Sequence, residues 1–107
     1  MSVRCLFLGN YTAESLKGIM GGSDRMAAVT GVVEAAGGTV NMVSFARGPY
    51  DVVVDMNLPS HEMMMGAMAT VRASGSITDA IYIELIDGDP VWEAARSIAG
   101  AYKPANA

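Results

Sequence analysis

Cysteine, histidine and tryptophan each occur once in the 107 residues, and charged residues make up only 17% of the chain. A single cysteine, Cys5, forms no internal disulfide, so a reducing cytoplasm is the expected setting. Cys5 lies in an apolar run where nothing lowers its pKa, and it reads as a small buried hydrophobe rather than a nucleophile. One histidine and one distant cysteine fall short of any zinc pattern. No metal and no cofactor is expected. Seven basic residues against eleven acidic ones give a net charge of −4 without a Lys/Arg cluster. That excludes nucleic acid and an anionic membrane surface as partners. No run of about twenty apolar residues exists to span a membrane. The apolar start is too short for a signal peptide, and there is no low-complexity segment or linker. A single domain over residues 1–107 is expected.

What the chain does have is apolar content: 51% of its residues are hydrophobic. That is rich for a small soluble monomer and points to an interface between copies of the chain.

The most informative stretch is residues 45–56, F-A-R-G-P-Y-D-V-V-V-D-M. Gly48-Pro49 is a turn signal, because Gly takes angles other residues avoid and Pro fixes φ. Apolar runs at 40–46 and 50–56 flank it and predict a β-hairpin. In the second run Val52, Val54 and Met56 share one face; Asp51, Val53 and Asp55 share the other. The two carboxylates are about 13 Å apart at ~3.3 Å per residue, too far for a catalytic dyad.

The first strand is predicted at residues 3–8, apolar on both faces and stopped by Gly9-Asn10. Thr12 caps a short helix that Gly21-Gly22 breaks, and Ser23-Asp24 starts a second helix ended by Gly37-Gly38. Ser60 caps a helix over residues 61–73 with Met64, Ala67, Met68 and Val71 as its core stripe. His61, in its first turn, reads as a surface residue. The last strand is predicted at 77–86, with Ile77, Ile81, Ile83 and Leu85 on one face and Tyr82 and Ile86 on the other. A final helix follows, with Asp89 as N-cap and Pro90 at its first position; the tail, 103–107, frays.

These elements assemble as an α+β, ferredoxin-like βαββαβ domain of the dimeric α/β-barrel type: a four-stranded antiparallel sheet in the order 4-1-3-2 with two helices on one face, plus a C-terminal helix. The other face is expected to hold Leu6, Leu8, Val43, Phe45, Val53, Tyr82 and Ile86, with Arg4 pairing Asp55. A second copy would cover it, sheet on sheet.

Three segments carry a resemblance: Gly9-Asn10-Tyr11-Thr12; Gly18-Ile19-Met20 with Ser23-Asp24-Arg25; and Gly48-Pro49-Tyr50-Asp51-Val52-Val53-Val54. Together they resemble the GYD domain family, whose name comes from the Gly-Tyr-Asp signature at the hairpin. The resemblance implies a small bacterial protein of the dimeric α/β-barrel type. The family has no established activity. Pro49 stiffens the variable signature position here, and Ser60-His61 stand where a more acidic helix start is expected.

Two functions stay open. One is a homo-oligomeric small-molecule-binding or structural module, in which Gly48, Tyr50 and Asp51 serve the turn and Asp51 accepts hydrogen bonds from N–H groups near Asn10. The other is a small cofactor-independent enzyme, monooxygenase- or isomerase-like by analogy of fold, with a cavity between sheet and helices. For either, Tyr11, Arg47, Tyr50, Asp51 and Tyr82 are the candidate ligand contacts.

Overall fold

Two strands with strict alternation make the centre of the sheet. A computed structural model describes residues 2–106. In β1, Val3–Tyr11, the side chains of Val3, Cys5, Phe7 and Tyr11 are buried, and in β3, Val52–Leu58, so are Val52, Val54, Met56 and Leu58. The two strands pair antiparallel, Cys5 opposite Met56 and Phe7 opposite Val54, so both buried sets share one face. β2, Thr39–Phe45, adds to β3, and β4, Ile77–Leu85, adds to β1, giving the order β2-β3-β1-β4. That is the expected order of strands.

Three helices cover the buried face: α1, Ala13–Met20; α2, Arg25–Ala35; and α3, His61–Ala73. Each starts at the expected cap. Thr12 accepts from the Ser15 N–H, Asp24 from the Ala27 N–H and Ser60 from the Met63 N–H. Such caps satisfy helix donors that would otherwise lack partners. The core is completed by Val33 of α2 and by Met64, Ala67 and Met68 of α3. Burying each such side chain stabilises the fold by about 1.5–3 kcal/mol. Cys5 is fully buried in this layer, and burial pushes its thiol pKa up, away from nucleophilic use.

Gly38 joins α2 to β2 at a point of close approach. A Cβ there would fall on the Asn57 carbonyl oxygen and the Leu58 side chain. Gly48 has φ of 146° in the β2–β3 connection, a conformation L side chains rarely adopt.

Four expectations need correction. β1 does not stop at Gly9-Asn10 but runs to Tyr11 in unbroken alternation, while β4 carries an extra residue opposite it, where the β1–β4 register shifts between Gly9 and Tyr11. This bulge puts Ile77 opposite Tyr11, on the helix side, rather than on the face of Ile81 and Ile83. Tyr82 pairs with Phe7 and so also lies on the helix side, not the open one, and Ile86 lies beyond the end of β4. A second bulge between Val40 and Met42 turns Val43 and Phe45 to the helix side, opposite Val54 and Val52. Third, β3 begins at Val52, so Tyr50 and Asp51 belong to the turn and do not alternate with Val53. Fourth, the last helix, α4, Asp89–Ile98, has Gly88 as its N-cap with no side-chain bond, while Asp87 accepts from the Asp89 N–H.

The open face therefore carries Arg4, Leu6, Leu8, Met42, Ser44, Val53, Asp55, Ile81, Ile83 and Leu85. Met42, Ile81, Ile83 and Leu85 are 38–48% exposed. Arg4 pairs with Asp55 here as expected, bidentate at 2.7 and 3.2 Å, and Asn41 Nδ2 donates to the same carboxylate at 3.1 Å. The Arg4 guanidinium, then Asn41, hold the Asp55 carboxyl below its usual pKa. No residue of α4 is buried; the molecule measures 60 × 32 × 21 Å. None of the described helices is long and apolar enough to cross a membrane.

Candidate functional site

The signature turn and the end of β1 are stapled together. The Asp51 N–H donates to the Gly9 carbonyl and to Asn10 Oδ1, both at 3.0 Å. Asp51 Oδ2 in turn accepts from the Tyr11 N–H at 3.0 Å. Asn10 Nδ2 donates to the Pro49 carbonyl at 3.0 Å and to Asp79 Oδ2 at 3.4 Å. The end of the β1–β3 ladder makes this possible. β3 begins at Val52, so Tyr11 lies past the end of the β1–β3 ladder and its N–H is left to meet Asp51.

Held in this way, the Tyr11 side chain points under the helices. Its ring lies 6.2 Å from that of Phe45, tilted by 55°, and the Arg25 guanidinium carbon stands 6.0 Å from the Tyr11 ring centre. That distance is within the range of a cation–π contact. Burial pushes the Tyr11 phenol pKa up, and the adjacent Arg25, through its charge and its closeness to the phenol oxygen, only partly offsets this, so the hydroxyl stays protonated.

Beside Tyr11 and Arg25 a cavity of about 240 Å³ opens between the sheet and the helices α2 and α3. Phe7, Val54 and Met56 form its floor; Val29 and Val32 of α2 and Met68 of α3 form its walls. Its lining is predominantly apolar, with the Ser and Thr hydroxyls of Thr70, Ser74 and Ser76 at its margin. The small residues Ala28 and Ala67 leave the space that larger side chains would fill. Gly9 contributes too: a Cβ there would come within 2.9 Å of the Phe7 ring, so Gly allows that ring to lie flat against the strand. A second, more open depression of about 430 Å³ lies at the signature corner, lined by Asn10, Tyr50, Arg72 and Asp79 among others.

The candidate contacts are thus dispersed. Tyr11 lines the inner cavity and Tyr50 the outer depression. Asp51 bonds the backbone between them. Arg47 is exposed in the turn, and Tyr82 is exposed on the edge strand; neither lines either cavity. His61 sits on the surface with Nε2 3.8 Å from Glu84 Oε1. Among the described residues no group of three His, Cys, Asp or Glu side chains could hold a metal ion.

Arg25 escaped the candidate set although a signal was there. It is a basic residue in the first turn of a helix, against the helix dipole, where an acidic residue is the favoured choice. Such a placement asks for another reason to keep the charge.

An antiparallel sheet in this order, with helices layered on one face in the sequence βααββαβα, defines a ferredoxin-like α+β domain. The model of the GYD domain matches residues 5–95, and the chain belongs to the GYD domain family. Among solved structures, FFRP-DM1 is similar with a TM-score of 0.55 at 16% identity, over 78% of this chain and 99% of that one. MtbAldR is similar with a TM-score of 0.58 at 10% identity, over 81% of this chain and 55% of that one. The chain therefore spans little more than half the length of MtbAldR, and at these identities the likeness is one of fold. No curated protein matches the chain.

Proposed function

We propose that this protein is a homo-oligomeric small-molecule-binding module of the cytoplasm, and that its ligand sits between the sheet and helices α2 and α3. The observation that carries this is the cavity of about 240 Å³ with Tyr11 and Arg25 at its polar end. Concave, largely apolar space with a few convergent polar groups is the usual form of a ligand site. An accidental void of this size would cost stability, because deleting buried volume destabilises by about 24 cal/mol per Å³. The signature residues Gly48, Tyr50 and Asp51 serve this site by holding β1 and the turn in register rather than by touching the ligand. Self-association follows from the open face. Its exposed isoleucines, Leu85 and Met42 form an apolar sheet surface that a second copy would cover at about 10 Å separation. The buried, unpaired Cys5 supports a reducing compartment.

The test is native mass spectrometry of protein purified without added ligand, with sedimentation velocity on the same sample. A co-purified small molecule, released on denaturation, on a dimer or larger species is the expected result. A monomer that carries nothing, and whose melting point no apolar small molecule raises, would overturn it.

A cofactor-independent enzyme is the second reading. It rests on Tyr11, whose phenol is the acidic hydroxyl lining the inner cavity among the described residues. Its raised pKa suits a hydrogen-bond donor better than a general base. Binding is therefore favoured over turnover.

A further inference from the structure

Arg25 is the only charged residue that lines the inner cavity among those described, and it is a cation in a chain of net charge −4. Its Nη1 donates to Ser23 Oγ at 3.3 Å, on its own helix start. Its Nε is buried and has no hydrogen-bond partner among the described residues. Buried guanidinium donors without acceptors are rare, since a charged group left unsatisfied costs more than a neutral one. Every other buried polar atom of the described side chains has a partner. The exception is on a residue that lines the cavity.

The neighbouring groups sharpen the chemistry. The Tyr11 hydroxyl, protonated, is a second donor at the same end. The Thr70 and Ser74 hydroxyls donate to the Gly66 and Val71 carbonyls of their own helix. No carboxylate lines the cavity among the described residues. One end thus offers donors and positive charge, and the rest offers hydrocarbon. A cationic or zwitterionic ligand would bring an ammonium group with no counter-charge to meet it. An uncharged apolar ligand would leave the Arg25 donor unpaired.

We infer that Arg25 is the anion-binding residue of this cavity and that its ligand is an apolar monocarboxylic acid small enough for a cavity of about 240 Å³. The carboxylate sits against the Arg25 guanidinium, where N–H donors meet its two oxygens, and the Tyr11 hydroxyl donates to the same group. The apolar body lies along Phe7, Val54 and Val32. This inference rests on the cavity being a binding site, as proposed above.

The test is isothermal titration of the full chain at neutral pH with three probes of one length: octanoate, 1-octanol and octylammonium. Octanoate is expected to bind roughly ten- to hundredfold tighter than 1-octanol, the range for a hydrogen bond to a charged group, with octylammonium the weakest. Arg25→Met keeps most of the stem and removes the charge. It should bring octanoate down to the affinity of 1-octanol, and Arg25→Lys should restore part of the difference; thermal melting checks that both variants are folded. Octanoate binding no tighter than 1-octanol, or an octanoate preference that survives in Arg25→Met, overturns the anion assignment while leaving the cavity as a site. No binding of either octanoate or 1-octanol overturns both.

Discussion

Replacing Asp51 by alanine isolates one bond at the signature. The Asp51 backbone N–H keeps its partners at Gly9 and Asn10, since the substitution leaves the main chain intact. Only the carboxylate is lost, and with it the acceptor for the Tyr11 N–H at 3.0 Å. The bond is partly buried, and Tyr11 itself is 8% exposed, so water replaces the carboxylate poorly. A hydrogen bond to a charged group contributes about 1.5–3 kcal/mol. At ~2.1 cal/mol/K per residue of unfolding entropy, a chain of this length loses about 4 °C of Tm per kcal/mol. Asp51→Ala should therefore lower Tm by roughly 7–13 °C at fixed protein concentration. Asp51→Asn keeps an uncharged oxygen as acceptor and should lower it by about 4 °C, for a loss near 1 kcal/mol. Calorimetry with matched concentrations reads both. A shift under 2 °C for Asp51→Ala would refute the staple, and an enzyme that lost turnover in Asp51→Asn without any change in Tm would move Asp51 into the chemistry.

Three further outcomes follow from the packing. Gly38→Ala should destabilise by about 3 kcal/mol or more, because the new Cβ meets the Asn57 carbonyl oxygen; an unchanged urea midpoint would mean that the backbone yields there. Asp55 has a depressed folded-state pKa, so its pairing with Arg4 contributes stability above the unfolded carboxylate pKa of about 4 and loses it as pH falls through the lower folded value. The Tm difference between wild type and Asp55→Asn should then be full at pH 6 and shrink below about pH 4, and a gap that stays constant to pH 2.5 would contradict the pairing. Ile83→Asp places a charge in the middle of the open face, where the isolated chain leaves Ile83 48% exposed. It should turn an oligomer into a well-folded monomer in sedimentation velocity, and an unaltered oligomer would show that copies meet elsewhere.

The elements and their order were legible in the residues because their signals are local. Thr12, Asp24 and Ser60 cap helices through bonds to N–H groups three residues ahead, and strict alternation at Val52, Val54 and Met56 marks a half-covered strand. The partition of the faces was not legible beyond each bulge. A bulge adds one residue and leaves little trace in composition, yet it reverses every side chain after it. That is why Val43, Phe45 and Tyr82 were expected on the open face and lie on the helix side. The bond from Asp51 to an N–H near Asn10 could be anticipated, because Asp beside a turn commonly serves the backbone. Its actual partner, Tyr11, follows from β3 beginning only at Val52 while β1 runs on to Tyr11. The cavity was illegible for a different reason: it is volume that Ala28, Ala67 and the flat Phe7 ring fail to fill, a property of how three elements meet rather than of any one of them.

Two concave regions adjoin the signature, and burial decides between them. The outer depression beside Tyr50 is larger but open, and two of its lining groups, Asn10 and Asp79, are bonded to each other at the surface. A ligand there would displace water from polar groups and gain little. The inner cavity is walled by hydrocarbon, so a ligand entering it gains roughly 25 cal/mol for each Å² of apolar surface removed from water. The signature reaches that cavity through one residue. Asp51 fixes the backbone of Tyr11, Phe45 and Arg25 flank its ring, and the following Thr12 N–H is anchored to the Ser76 carbonyl at the cavity margin. The signature turn thereby helps set where the Tyr11 hydroxyl and the Arg25 charge stand relative to each other.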